Sequence, residues 1–213
     1  MLKRILSRRE DEQRARKEGR LPPGQSITNK FPVLHYGRIP RADLSAWTFR
    51  VFGLVEQERS WDWPSFNALP RTRIIMDIHC VTRWSKLDTT WEGVSVATLI
   101  EQGFITPRPD AKYVIQHCEK GYTTNTPLDL VLQDNFLLAT HFDGEPLAPE
   151  HGYPLRAVVG SFSDRSENSS AYFWKGGKWL RGLEFRAEDQ PGFWERAGYH
   201  NEADPWKEER FRR

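Results

Sequence analysis

Residues 77–100 read DIHCVTRWSKLDTTWEGVSVATLI and hold the earlier of the two cysteines in a chain of 213 residues. The run up to Cys80, TRIIMDIHC, has the β-branched, apolar character of a strand. A polar turn follows, and SVATLIEQG then reads as a helix with Ser95 near its N-terminus and Gly103 as its stop. A lone thiol at a strand end can serve as a nucleophile, a metal ligand, a redox switch or a small core residue. The rest of the chain has to choose among these.

Outward from this stretch, short elements continue. WTFRVFGLV reads as a strand, and WPSFNALPR as a short helix with Pro64 just inside its start and Ser65 beside it. AKYVIQHC is a further strand and TPLDLVLQDN a short helical stretch. NFLLATHFDGEPLAPEHG gives a strand, a turn at Asp143-Gly144 and a polar return, and LRAVVGSF and KWLRGLEF are two late strands. The segment beginning FPVLHYGRIP also suits strands. Separated strands and short helices, without a regular strand–helix alternation, predict an α+β domain with mixed or antiparallel sheets. Residues 1–26 read as a charged N-terminal extension, an exposed helix or a disordered lead, closed by LPPGQS. Residues 27–213 form one domain, and its polar tail carries Phe193, Trp194, Tyr199 and Trp206, which predicts that it wraps the domain.

With 31 basic against 29 acidic side chains, no global field points to nucleic acid or an anionic membrane. Two cysteines cannot build a disulfide framework. No stretch approaches the roughly 18–20 apolar residues of a membrane span, and no hydrophobic region follows Arg8-Arg9 to make an export signal. The expected setting is the cytoplasm.

Four clusters carry candidate chemistry. Cys80 and Cys118 each follow a histidine, but adjacent strand residues point to opposite faces, so IHC and QHC do not form a tetrahedral zinc site. What remains open is a pair of buried thiols, or a nucleophilic Cys80 with His35, His117 or His151 as base. In HGYPLRAVVG a proline turn can aim His151 and Arg156 at one ligand, or Arg156 pairs locally. YFWKGGKWLRG, with serine hydroxyls ahead of it, interleaves Lys175, Gly176, Gly177, Lys178 and Arg181 with aromatic rings; it is an anion cradle or a solvated basic loop, without Walker spacing. FPVLHYGRIP adds His35 and Tyr36.

In this order, these stretches resemble the molybdopterin-binding catalytic domain of the sulfite oxidase family, over most of residues 27–213. The most specific pieces are HCVTRWSKLDTTWEGVSVATLI and HGYPLRAVVGSF followed by KGGKWLRGLEF. The resemblance implies the sulfite oxidase-type fold and a mononuclear molybdenum oxidoreductase that performs two-electron oxo transfer to or from a small substrate such as an S-oxide or N-oxide. It implies molybdenum-molybdopterin as cofactor, no haem, and a separate electron carrier as redox partner. Soft thiolates suit a sulfur-bound metal, and by the resemblance Cys80 is the molybdenum ligand. By the same match His151 and Arg156 hold the pterin, and Lys178, Gly176, Gly177 and Lys175 take its phosphate. Gly176 replaces a serine often found there, leaving the backbone amide as donor. His35 and Tyr36 fall at N-terminal cofactor contacts, and Cys118 where relatives of the methionine sulfoxide reductase type have a pterin-contacting threonine. Tyr122, five residues before Pro127, matches an active-site tyrosine and is the substrate-side hydrogen-bond donor. Sulfite oxidases follow the cysteine with a glycine-asparagine-arginine run. Here Thr82, Arg83 and Trp84 follow Val81, so Arg83 or Lys86 is left to attract an anion and the resemblance does not extend to sulfite as substrate.

Overall fold

A computed structural model describes residues 2–162 and 170–212, with side chains from residue 9 onward. The hydroxyls read at positions 163–169 lie outside the described residues, and the Arg8 side chain lies outside the described side chains. The elements are α1 (Leu2–Lys17), β1 (Ser26–Ile27), β2 (Thr48–Gly53), β3 (Arg59–Asp62), α2 (Trp63–Asn67), β4 (Thr72–His79), β5 (Trp84–Val94), α3 (Val96–Glu101), β6 (Tyr113–Cys118), β7 (Thr123–Pro127), α4 (Leu128–Val131), β8 (Phe136–Phe142), β9 (Glu145–Pro146), β10 (Arg156–Val159), β11 (Leu180–Arg186) and α5 (Phe193–Arg196).

Local chemistry explains most boundaries. Asp62 caps α2 by accepting the Ser65 N–H at 2.9 Å, with Pro64 in the first turn where its missing N–H costs nothing. Ser95 caps α3 by accepting from Thr98, and Gly103, at φ +75°, ends it. Asp143 and Gly144 both have positive φ, as a two-residue hairpin turn requires, and they join β8 to β9.

Two sheets result. In one, β5 pairs with β1, β4 and β8, and β8 continues to β9 and β10; in the other the order is β3-β2-β11-β6-β7. Pairing is antiparallel except for β1 with β5 and β2 with β11. The main core lies between the sheets. Along β8, Phe136 and Leu138 enter it, while Leu137 and Ala139 enter a second core on the opposite face with Met76, Ile78, Trp91 and Phe173. A strand buried on both faces reads as a continuous apolar run, which is why FLLA and AVV do not alternate. Each such leucine, isoleucine, methionine or phenylalanine side chain contributes roughly 1.5–3 kcal/mol on burial.

Two readings need correction. Residues 84–94, read as a polar turn, form the eleven-residue strand β5. Its core-facing positions include Ser85 and Thr89, so its burial pattern is hidden by polarity. Residues 31–39, read as strand-like, form no strand, and Val33, Leu34, Tyr36 and Ile39 are exposed.

The N-terminal chain is docked. Arg20 forks onto Asp77, which is 1% exposed, through Nε–Oδ2 at 2.9 Å and Nη2–Oδ1 at 2.7 Å, and also reaches Asp88. Glu12 accepts the Ile27 N–H. Leu21 and Gln25 are buried, which brings Gln25 beneath the cysteine turn.

Candidate active site

Cys80 sits at the tip of the β4–β5 hairpin. Its N–H donates to the Trp84 carbonyl at 2.8 Å, and its carbonyl accepts from the Arg83 N–H at 2.9 Å. Arg83 adopts φ +72°, the left-handed residue that closes a three-residue hairpin loop. From the far side the Gln25 side-chain amide donates to the same Cys80 carbonyl at 3.0 Å and accepts from Ser85 Oγ, which in turn meets His79 Nδ1 at 2.8 Å. The backbone around the thiol is therefore pinned at three points. Cys80 is 6% exposed and its sulfur lies 3.1 Å from Thr82 Oγ1. Burial pushes the thiol pKa up, while Thr82, Arg210 and Lys178 pull it down.

The thiol borders a cavity of about 520 Å³, within the size range of cofactor sites. The cavity gathers His35, Tyr36, Cys80, Tyr122, Arg156, Gly176 and Lys178, so residues far apart in sequence share one wall system. Arg156 is fully buried: its guanidinium lies 4.1 Å from the Phe173 ring centre and donates to the carbonyls of His151 and Gly176. A guanidinium keeps its proton at neutral pH even when burial lowers its pKa. Lys178 donates to the carbonyls of Leu34 and Glu150, each at 2.7 Å, and so ties residues 31–39 to the turn before β10. Burial, then Arg156, pushes Lys178 down to about 7. Burial also raises Tyr122 well above its ordinary range, so its hydroxyl stays protonated and can only donate or accept as a neutral group.

Other expected site residues lie elsewhere. His151 stands behind the cavity wall, stacked on Phe31 at 3.8 Å between ring centres. Its Nδ1 is buried without a partner among the described residues, and burial lowers its pKa to about 4, so the ring is neutral. Cys118 belongs to the main core, against Gly177, where an added Cβ would stand 2.5 Å from its sulfur. Gly177 donates its N–H to Gln116 Oε1, and Gly176 donates its own to the Phe173 carbonyl, so both amides are engaged within the protein. Lys175 turns away: its ammonium donates to Asn125 Oδ1, Glu195 Oε1 and the Asn201 carbonyl at 2.7–2.8 Å, all in the interior. Arg83 is exposed and is not part of the cavity wall. His117 pairs with Glu184 at 2.8 Å, also off the wall.

Several contributors went unread in sequence. Gln25 carries no local signal; a glutamine in a loop is unremarkable until the fold places it. Phe193, Trp194 and Tyr199 were legible only as an aromatic-rich tail, and Trp174 only as part of a basic loop, yet all four line the cavity.

The depressed lysine yields a pH prediction. Because Lys178 loses its charge as pH rises through about 7, the cofactor-free chain should bind sulfate, whose charge is fixed in this range, about tenfold more weakly per pH unit above 7. Calorimetric titration from pH 6 to 9 measures this, and Lys178→Met should flatten the slope.

Among the described residues no three His, Cys, Asp or Glu side chains gather to hold a metal ion. No described helix is long and apolar enough to cross a membrane. The profile of the oxidoreductase molybdopterin binding domain matches residues 36–194, about three quarters of the chain. The uncharacterized oxidoreductase YuiH of Bacillus subtilis (strain 168) is 46% identical over 194 residues, which cover 91% of this chain and 92% of that protein. Sulfite oxidase of Arabidopsis thaliana is 24% identical over 220 residues, covering 84% of this chain and 53% of that protein. Among solved structures, the sulfane dehydrogenase SoxCD from Paracoccus pantotrophus matches 77% of this chain and 43% of its own with a TM-score of 0.60 at 20% identity, which places this fold with sulfite oxidase-type domains. With a family profile that covers about three quarters of it, and a thiol, two cations and a cofactor-sized cavity within the matched range, the chain belongs to the family of molybdopterin-binding oxidoreductase domains.

Proposed function

We propose that this enzyme is a mononuclear molybdenum oxidoreductase that performs two-electron oxo transfer with a small S-oxide or N-oxide, using the Cys80 thiolate as the metal's protein ligand. The carrying observation is that this thiol, the buried Arg156 and the part-buried Lys178 face one cavity. The residues fit the cofactor: a single thiolate suits a metal whose other sulfur ligands come from the organic group. Arg156 and Lys178 supply positive charge for its phosphate and ring edge, and the orphaned His151 Nδ1 offers a hydrogen-bonding atom behind the wall.

When bound, the cofactor supplies the two-electron couple; the chain supplies placement. Gln25, Arg83 and Trp84 fix the Cys80 backbone, so the sulfur points into the cavity at little entropic cost. Tyr122, held neutral, donates its hydroxyl proton as a hydrogen bond to a substrate oxygen. Residues 31–39, tied by Lys178, shield the chamber from water. In this reading electrons pass to or from a separate carrier protein in the cytoplasm, without haem.

A cysteine nucleophile is less well supported. Cys80 meets Thr82 rather than a histidine, and burial raises a thiol that such chemistry needs lowered. The test is elemental: chain purified from cells that make molybdopterin should carry about one molybdenum per chain and release a fluorescent pterin on denaturation. Metal-free protein from such cells would overturn the reading.

A further inference from the structure

The cavity has two chemically different sides. Arg156 and Lys178 form the cationic one. The other is a chain of aromatic rings drawn largely from the C-terminal tail. Tyr122 meets Phe193 at 5.8 Å between ring centres, Phe193 meets Trp194 at 5.0 Å, Trp194 meets Tyr199 at 5.3 Å, and Tyr199 meets Trp174 at 5.7 Å. Tyr36, from residues 31–39, closes the run by packing on Phe193 at 5.1 Å. All six line the cavity. The series begins beside the thiol, since Trp174 and Tyr199 pack against the Cys80, Val81 and Tyr172 cluster. It ends at the mouth with Tyr36, which is 68% exposed.

The tail is built to hold this wall. Within α5, Glu195 turns inward to the Lys175 ammonium while its neighbours Phe193 and Trp194 turn to the cavity. That buried pair sets the rotation of α5 and so aims the rings.

Such a wall discriminates by substrate shape and charge. Aromatic faces favour flat π-systems through offset and edge-to-face contact, whereas a small oxyanion needs cations or a ring of N–H donors. The cations near this end, Arg38 and Lys120 on the lining and Arg83 off it, are all exposed. Arg83 is exposed off the wall, and Lys120 is spent at the rim on the Arg38 carbonyl. Resting on the oxo-transfer reading above, we propose that the substrate is an uncharged, ring-bearing S-oxide or N-oxide whose ring lies on the Phe193–Trp194 wall while its oxygen accepts from Tyr122.

The test compares three probes on the purified full-length chain by tryptophan quenching and by competition: methyl phenyl sulfoxide, dimethyl sulfoxide and sulfite. The aryl sulfoxide should bind at least about tenfold more tightly than the dimethyl compound, as expected for one stacked ring, and sulfite should not displace it. Trp194→Leu should shrink the gap to less than about threefold. Tyr36→Ala, on an exposed residue whose loss leaves folding intact, should reduce it in the same direction. Equal binding of the two sulfoxides, a gap unchanged in both variants, or displacement by equimolar sulfite would overturn the proposal. Molybdenum content, measured on the same samples, separates the two readings. Aryl preference in metal-free protein supports the wall while ending the oxidoreductase reading; metal-loaded protein without the preference does the reverse.

Discussion

Cys80→Ser should give a folded protein that has lost its metal-dependent activity. The substitution is nearly isosteric, the hydroxyl can still meet Thr82 Oγ1, and the backbone bonds that pin position 80 are untouched. The stability cost should stay below about 2 kcal/mol. The functional cost should exceed the 10–100-fold loss that follows removal of a partner one shell out from a metal, because the ligand itself is gone. The thiolate-to-metal absorption band should vanish with it. Cys118→Ser is the control: that thiol lies in the main core behind Gly177, not on the cavity wall. It should lose about 1–3 kcal/mol for burying a hydroxyl and keep both metal and spectrum. A Cys80→Ser protein with full molybdenum content and an unchanged spectrum would remove the thiol from the metal site.

The second large effect is on folding. Lys175→Met should destabilise the chain by about 3–5 kcal/mol, a large share of the roughly 5–15 kcal/mol that holds a domain together. The ammonium satisfies Glu195, Asn125 and Asn201 at once, and Glu195 is completely buried. Thr124 also donates to Glu195 Oε1, but one hydroxyl does not neutralise a carboxylate. Urea unfolding measures the loss. The double variant Lys175→Met with Glu195→Leu should lose far less than the sum of the two single changes, since it removes both charges together. A single Lys175→Met costing less than about 1 kcal/mol would show that the pair does not hold the tail.

These two residues also show where sequence reading ends. The strand leading to Cys80 is legible because TRIIMDIHC is apolar and β-branched, and a strand end is where a thiol can leave the core. The strand after it is not, because β5 faces the core with Ser85, Thr89 and Gly93, each explained by a neighbour the sequence cannot show: Gln25 for Ser85, the Met76 carbonyl for Thr89, the β8 backbone against Gly93. Lys175 illustrates the opposite failure. In KGGK it reads as half of an anion cradle, and only the partner twenty residues on, Glu195, turns it into the interior. The short helices are readable from Pro64, Ser65, Ser95 and Gly103, although the residue that caps the first of them, Asp62, stands just outside the quoted stretch. The apolar run FPVL misleads because Pro32 removes a donor and, among the described residues, no strand pairs with it.

The aromatic wall has a consequence for when the site can exist. Its rings at 193, 194 and 199 stand more than a hundred residues after Cys80 in the chain, so Cys80 and the residues at 31–38 leave the ribosome before them. During synthesis the thiol hairpin can fold while its chamber still lacks one side. The chamber is therefore complete only once this later segment has docked against the earlier ones.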